Sequence, residues 1–190
     1  MRGLQERLKA LSSARLQGMG RGVEKESLRV AQDGTLATTA HPPALAAVEL
    51  APLFARVERL VAADWAARGG VARFEVTPPT LTLMADGGQL EQALLNLLSN
   101  AAHATARVAA PSVLVSARLI RGGRLAIEVR DNGPGVPHGL ERDIFMPFFS
   151  TREHGSGIGL AVVRNLVQGM GGSVRHVKPA SGGAAFVMSF

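Results

Sequence analysis

Apolar residues along the chain recur with two different spacings. Between residues 49 and 67 they return every three or four positions, which predicts an amphipathic helix ending near Gly69; the apolar set is Leu50, Leu53, Phe54, Val57, Leu60, Val61 and Trp65. The same spacing predicts further helices over residues 86–106 and 158–170. Shorter apolar runs bounded by Gly and Pro predict strands over residues 72–76, 81–85, 112–120 and 124–130, and a final hairpin over 172–190.

These elements predict an α+β fold of two layers. Gly122 and Gly123 separate the two central strands as a hairpin turn does. Because most strands are joined by short connections, we expect a mixed, mostly antiparallel sheet with helices on one face. Residues before 46 are rich in Gly, Thr and charge and lack sustained apolar periodicity. We therefore predict two segments, a poorly packed one over residues 1–47 and a domain over residues 48–190.

Composition narrows the classes of function. The 190 residues include no cysteine, which excludes disulfides, thiolate metal sites and a cysteine nucleophile. No apolar run reaches the roughly 20 residues of a membrane-spanning helix and no secretory signal is evident, so we expect a cytoplasmic protein. The net charge of +6 is uneven, since residues 1–30 hold seven Lys and Arg against three Glu. Aromatic residues make up only 4%, with no Tyr, which argues against nucleic-acid binding.

The second predicted helix carries an unusual polar stripe. On a period of 3.6 residues the stripe is polar but uncharged apart from a histidine, and its members are Gln89, Gln92, Asn96, Asn100 and His103. A line of amides on an otherwise apolar helix suits a ligand with many oxygens or a hydrated metal. Amides that face water are the alternative interpretation, and the pattern does not decide between the two.

Two glycine-containing loops are further candidates for ligand binding. Asp131 ends a predicted strand and opens "DNGPGV", where it can accept a hydrogen bond from an exocyclic amine, although an ordinary turn has the same composition. Gly133 and Gly135 in that loop permit close approach of the backbone or a positive φ. Later glycines precede the last helix, whose N-terminus can hold phosphate oxygens. Their spacing is neither a dinucleotide fingerprint nor a Walker loop.

The order of these segments resembles the ATP-binding catalytic domain of sensor histidine kinases, within the wider family of type II topoisomerase, chaperone and mismatch-repair ATPases. "LEQALLNLLSNAAHAT" is similar to the N box of that family, "DNGPGV" to its first glycine box, "FMPFFS" to its F box and "GSGIGL" to its second glycine box. The resemblance covers residues 48–190. It implies the two-layer α/β sandwich of that family.

The resemblance also implies residue roles. Asp131 would read the adenine amino group of ATP, Asn100 would coordinate Mg²⁺, and Asn96 would face the same phosphates. Phe145, Phe148 and Phe149 would anchor the start of a mobile lid over the nucleotide, although plain core aromatics would look the same. The residues expected at the nucleotide are Asn96, Asn100, His103, Asp131, Gly133, Gly135, Phe145, Phe149, Thr151, Arg152, Gly155, Gly157, Gly159 and Leu160.

Some positions depart from the family pattern. Asn96 stands where ATPases of the wider family often carry a Glu that activates water, and an amide cannot act as that base, which favours transfer to a protein over hydrolysis. His103 and Arg152 stand where related kinases often carry Lys. His41, the only upstream histidine, precedes two prolines that a helix does not accommodate, so no phosphoacceptor is identified. We expect the acceptor on a separate dimerisation domain, a response regulator as partner, and a monomer in isolation.

Residues 16–45 resemble a different family, the N-terminus of proteobacterial glutamate–cysteine ligase, through a stretch that includes "GVEKESLRV". Glu24 and Glu26 match acidic residues of that ligase's metal and substrate site, but without the rest of the ligase they cannot complete it. We interpret the chain as a fusion. Three hypotheses follow: a histidine kinase ATP-binding domain, an anti-sigma-type Ser/Thr kinase or nucleotide-binding module of the same fold, and a ligase fragment.

Overall fold

A computed structural model describes residues 45–150 and 156–190. All of these residues belong to one unit, which spans residues 42–190. The described elements are, in order, β1 (Ala46–Glu49), α1 (Leu50–Ala67), β2 (Val71–Thr77), β3 (Thr82–Ala85), α2 (Gly87–Ala104), β4 (Ser112–Leu119), β5 (Leu125–Asp131), a 3-10 turn (Asp143–Phe145), α3 (Gly159–Gly169), β6 (Ser173–Val177) and β7 (Ala185–Ser189).

Five strands form the main sheet in the order β2-β4-β5-β7-β6. β4 with β5 and β6 with β7 are antiparallel neighbours along the chain, so both predicted hairpins are confirmed. β2 pairs with β4 in parallel, with Val71 opposite Ser112, because β3 and α2 lie between them in sequence and return the chain in the same direction. The sheet is therefore mixed and mostly antiparallel, as predicted.

Strand β1 was not predicted. It pairs antiparallel with β3 in a separate two-stranded sheet, with Ala46 opposite Ala85. Glu49, predicted as the first helical residue, is instead the last residue of β1 and the N-cap of α1. β1 begins two residues before the predicted domain boundary at residue 48, and that boundary stays a prediction.

The core lies between the helices and one face of the sheet. α1 buries four aliphatic or aromatic positions of its predicted apolar set together with Trp65, whereas Leu60 from the same set is 58% exposed. α2 contributes a continuous buried face, and the sheet contributes alternate residues such as Val115, Ile127 and Met188, as the period-2 pattern of a half-buried strand requires. Helix and strand periods thus direct apolar side chains into one shared layer.

The opposite face of the sheet is polar. Glu128 on β5 accepts from the guanidinium of Arg130 at 3.0 Å and lies 3.8 Å from that of Arg118 on β4. None of the helices within the described ranges is long and apolar enough to cross a membrane. The fold is a two-layer sandwich in which one end of the helix layer meets the loop after β5.

Candidate functional site

The carboxylate of Asp131 is held at the end of β5 by two backbone amides. Its Oδ1 accepts from Gly133 N at 2.8 Å and from Ala184 N at 3.4 Å, and its own N–H donates to the Ala184 carbonyl at 2.9 Å. The residue is only 6% exposed. No donor in the described part of the chain bonds to Oδ2. One oxygen therefore fixes the carboxylate, and the described residues leave the other without a donor.

Burial raises the pKa of Asp131 above its ordinary value, and the amides of Gly133 and Ala184 and the nearby His176 oppose that rise. A carboxylate in such surroundings is poorly solvated and gains strongly from a positioned hydrogen-bond donor. This chemistry suits the exocyclic amine that the sequence led us to expect. An ordinary surface turn would leave the carboxylate in water.

Glycines let the chain approach Asp131 closely. A Cβ at Gly133 would lie 2.9 Å from Asp131 Oδ1 and 3.0 Å from the Ala104 carbonyl oxygen at the end of α2. Gly135 has φ +82, and its Cβ would lie 2.8 Å from the Gly183 carbonyl oxygen. The loop after β5 is thus pressed between the end of α2 and the turn before β7.

The turn before β7 was not recognised as part of the site. Gly183 has φ +81, and a Cβ there would overlap the Asp131 carbonyl oxygen and lie 2.9 Å from its carbon. The Gly182–Gly183 pair was a usable sequence signal. The N–H of Ala184 that holds Asp131 carries no side-chain signal, because any residue except proline supplies it.

The amide stripe of α2 faces α3. A Cβ at Gly159, the first residue of α3, would lie 3.7 Å from both Asn96 Oδ1 and Asn100 Nδ2, and a Cβ at Gly169 would lie 3.9 Å from Gln89 Oε1. Asn96 Nδ2 donates to the Gln92 carbonyl at 3.0 Å, which turns Oδ1 towards Gly159. The amides are half-buried; Asn96 and Asn100 lie at the beginning of α3, whereas Gln89 lies at its end. They do not form a fully solvated face.

The beginning and end of α2 are fixed by side chains. Asp86 accepts from the N–H groups of Gly88 and Gln89 at 3.0 Å each, which is a standard N-cap. At the other end the buried Thr105 hydroxyl donates to the Ala101 carbonyl at 2.8 Å. α2 therefore carries Asn96 and Asn100 near α3, while its last residues reach the loop after Asp131.

A cavity of about 510 Å³ lies where α2 ends. Its wall includes the predicted residues His103 and Gly133, and also Arg107, which was not predicted. His103 is exposed, and its Nδ1 donates to the Ser99 carbonyl at 2.6 Å, which turns Nε2 away from the helix backbone. The side-chain amide of Asn132 bonds two backbone groups: its Oδ1 accepts from Ser112 N and its Nδ2 donates to the Ala110 carbonyl, at 2.8 Å each.

The aromatic segment after the loop, residues 145–149, has one buried, one exposed and one half-buried ring. Phe145 is buried and meets Phe186 edge-on at 6.2 Å, whereas Phe148 is 47% exposed with φ +64. Phe149 is half-buried against the core. A Cβ at Gly157 would lie 2.5 Å from the carbonyl carbon of Phe148, so the segment before α3 returns directly onto the aromatic segment.

The predicted site residues thus form three groups. Asn96 and Asn100 meet Gly159; Asp131 joins the loop glycines near His103; and the aromatic segment meets Gly157, with Leu160 half-buried against the core one turn later. Thr151, Arg152, Gly155 and His41 lie outside the described residues.

Comparison with known proteins finds similarity over the same segment. The sequence model of the family described as histidine kinase-, DNA gyrase B- and HSP90-like ATPase matches residues 85–190, more than half of the chain. The glutamate-cysteine ligase model matches residues 5–55. The sensor histidine kinase ZraS of Klebsiella oxytoca is 36% identical over 139 residues, which are 73% of this chain and 30% of that protein.

Solved structures share the fold. Full-length ShkA in complex with AMPPNP superposes with a TM-score of 0.69 at 36% identity, over 77% of this chain and 30% of that chain. The nucleotide-free catalytic domain of histidine kinase ThkA gives 0.69 at 25% identity, over 77% and 96%. ThkA in complex with the response regulator protein TrrA gives 0.66 at 24% identity, over 77% and 41%. These structural matches confirm the predicted fold class. The chain spans less than a third of the length of ZraS.

Proposed function

This chain belongs to the family of histidine kinase-, DNA gyrase B- and HSP90-like ATPases, and on that premise we propose that its domain binds ATP with Mg²⁺ and transfers the γ-phosphoryl group to a histidine of a separate dimerisation domain. The observation that carries the proposal is the carboxylate of Asp131, buried at a strand end and held by one oxygen alone. The chain spans only 30% of ZraS, so the activity of a whole sensor kinase is part of the proposal.

Asp131 selects adenine in this proposal. Its free Oδ2 accepts a hydrogen bond from the exocyclic amine of the base, while Oδ1 keeps its bonds to Gly133 and Ala184. Guanine presents a carbonyl oxygen at the corresponding position, which would leave two acceptors facing each other in a poorly solvated pocket. Unpaired polar groups of that kind discriminate strongly between similar ligands.

The phosphates belong at the beginning of α3 and the amides of α2. The N–H groups of the first turn of α3 and its dipole attract anions. The oxygens of Asn96 and Asn100 fit Mg²⁺, which prefers hard oxygen ligands and retains several waters. Asn100 would hold the ion, with Asn96 one turn earlier, and the bound ion would neutralise phosphate charge. Gly159 keeps the space in front of both amides free of a side chain.

Transfer of the phosphoryl group to a protein is favoured over hydrolysis of ATP, because position 96 carries an amide, Asn96, and not a base. An amide neither takes nor gives a proton at neutral pH, so Asn96 orients phosphate and solvent without activating water. Phosphoryl transfer depends mainly on positioning and on neutralising charge. His103 and Arg107, beside the loop glycines, are further groups that could attract an anionic nucleotide. The acceptor histidine then supplies the nucleophilic nitrogen, and ADP is the leaving group.

The partners follow from this reaction. A histidine-bearing dimerisation domain would receive the phosphoryl group, and a response regulator would take it next, as the ThkA–TrrA complex suggests by analogy. We place the reaction in the cytoplasm, where ATP is supplied. We predict that the isolated chain is a monomer. Sedimentation velocity tests this prediction.

Binding of a fluorescent ATP analogue with and without Mg²⁺ tests the nucleotide site. Asp131→Asn should weaken Mg²⁺-dependent binding about 10- to 100-fold, because a charged hydrogen bond contributes about 1.5–3 kcal/mol. Asp64→Asn makes the same chemical change at an exposed carboxylate on α1, which pairs with Arg68 among the described residues, and should bind like the parent. Equal affinity of all three chains would refute the assignment of Asp131.

Transfer chemistry separates the kinase alternatives. After incubation with ATP labelled at the γ-phosphate and a separately produced dimerisation domain, label on histidine is lost in acid and survives alkali. Label that survives acid would instead indicate transfer to Ser or Thr, as in an anti-sigma-type kinase. ATP-dependent condensation of glutamate with cysteine tests the ligase alternative, and we expect none.

A further inference from the structure

His176 has no role in the site described so far, yet it lies on the side of the sheet that holds Asp131. It stands on β6 directly opposite Phe186 of β7, with ring centroids 5.7 Å apart and planes tilted by 56°. Phe186 in turn meets Phe145 edge-on. Three rings thus connect the aromatic segment to β6 on the inner face of the sheet.

The Nε2 atom of His176 is buried and bonds to none of the described residues. Leaving a buried polar atom unpaired costs about 1–3 kcal/mol, so such atoms are normally satisfied by water or by a ligand. The aromatic contact with Phe186 holds the imidazole ring without using this nitrogen. The ring is therefore a positioned hydrogen-bonding group without a partner among the described residues.

Two acidic groups near the proposed nucleotide site affect the pKa of His176. Burial lowers the pKa of His176, and the acidic groups of Glu141 and Asp131 oppose the change. β7 carries no titratable residue, and α3, which packs against β6, carries only Arg164. The charge of His138, which lies in the same loop, is one of the smaller contributions that lower the pKa of Glu141. The lowered pKa favours the neutral imidazole at pH 7. His176 stands opposite Phe186, which stands opposite Val129, two residues before Asp131, so the imidazole and the carboxylate lie on the same face of the sheet.

We propose that His176 is a ligand-binding residue at the base end of the nucleotide site, where its imidazole hydrogen-bonds the adenine ring, directly or through one ordered water. This inference rests on the proposed function. Asp131 uses one oxygen for the backbone and one for the exocyclic amine, which leaves the ring nitrogens of the base without a partner. His176 Nε2 supplies a partner from the same face of the sheet as Asp131.

The inference predicts a pH dependence of binding with a definite sign. Bound nucleotide covers the ring further and raises the cost of a charge there, so binding favours the neutral form and releases a proton from the protonated form. Affinity for ATP therefore falls as the pH drops below 6.5, the ordinary pKa of histidine. The phosphates of the nucleotide also titrate with pH. Their titration changes the ATP affinity of every variant by the same factor, so it cancels when the affinities of two variants are divided.

The experiment measures the dissociation constant of Mg²⁺-ATP at pH 7.5 and pH 5.0 for the parent chain, His176→Val, His176→Gln and the control His138→Gln, an exposed histidine of the neighbouring loop. We expect His176→Val to bind about 3- to 10-fold more weakly at pH 7.5, the range for one lost hydrogen bond. His176→Gln keeps a hydrogen-bonding group that does not titrate. It should bind within about 3-fold of the parent at pH 7.5 and lose less affinity at pH 5.0.

Thermal unfolding of each variant separates loss of fold from loss of binding, and His138→Gln should match the parent at both pH values. The inference is overturned, while the ATP site stands, if His176→Val binds like the parent at pH 7.5. It is also overturned if the ratio of the dissociation constants at pH 5.0 and pH 7.5 is the same for all four chains. If the parent itself binds no ATP, the proposed function fails and the inference falls with it.

Discussion

The contact between Gly183 and Asp131 allows a prediction with an internal control in the adjacent residue. Gly182 and Gly183 have nearly the same positive φ, +84 and +81. A Cβ at Gly182 would meet nothing within 4 Å, whereas a Cβ at Gly183 would overlap the carbonyl oxygen of Asp131. Alanine at either position imposes the same backbone strain, but only Gly183→Ala also imposes a collision.

The two costs can be estimated separately. An L-residue in the left-handed region costs about 1–2 kcal/mol, which is the whole effect expected for Gly182→Ala. Relieving the overlap in Gly183→Ala requires β5 and the turn before β7 to move apart, and overpacking of this kind adds about 1–3 kcal/mol. Asp131 exchanges hydrogen bonds with Ala184, so that movement also displaces its carboxylate.

Urea unfolding followed by circular dichroism gives the free energy of unfolding of both variants and the parent. Gly183→Ala should be less stable than Gly182→Ala by about 1–3 kcal/mol and should bind Mg²⁺-ATP more weakly. Gly182→Ala should bind ATP like the parent despite its own strain. Equal stability and equal ATP affinity of the two variants would refute the close packing of Gly183 on Asp131.

Three further predictions concern other parts of the domain. Asp86→Ala removes the N-cap of α2 and should lower the free energy of unfolding by about 1 kcal/mol in urea titrations; Asp86→Asn keeps the acceptor and should not. Asn100→Ala should abolish the gain in ATP affinity on adding Mg²⁺ while metal-free binding persists, and an unchanged gain would exclude Asn100 as a ligand. The lowered pKa of His176 means that below pH 6.5 the unfolded chain binds more protons than the folded one, so stability should fall with acid. His176→Gln should show a smaller fall from pH 7 to pH 5 in thermal unfolding, and an identical fall would contradict this cause.

Local sequence was sufficient for most elements of the fold. The helices and both hairpins follow from the spacing of apolar residues and from turn glycines, which are properties of neighbouring residues. β1 was not predicted, because its four residues are stabilised by pairing with β3 more than thirty positions later. The parallel pairing of β2 with β4 likewise depends on how the intervening helix returns the chain. Such pairings are non-local and leave no periodic signal in either strand alone.

The candidate site shows the same division. The amide stripe and the Asp131 loop were visible in the sequence, because unusual residue types stand at regular spacing or at a strand end. Their expected contacts with ATP and Mg²⁺ stay predictions, as do those of Thr151, Arg152 and Gly155. That the stripe faces Gly159, and that one carboxylate oxygen is committed to backbone amides, depends on the packing of distant segments.

The sequence by itself therefore determined the type of each element, the family resemblance and the side chains able to carry nucleotide chemistry. Only the tertiary structure decided which of them meet and which neighbours they acquire. Gly183, the amide of Ala184 and His176 lie more than forty residues after Asp131 and reach it through the pairing of β5, β6 and β7. The physical reason is that hydrogen bonding and burial act over a few ångströms in space, whereas the spacing of residues along the chain records only local geometry.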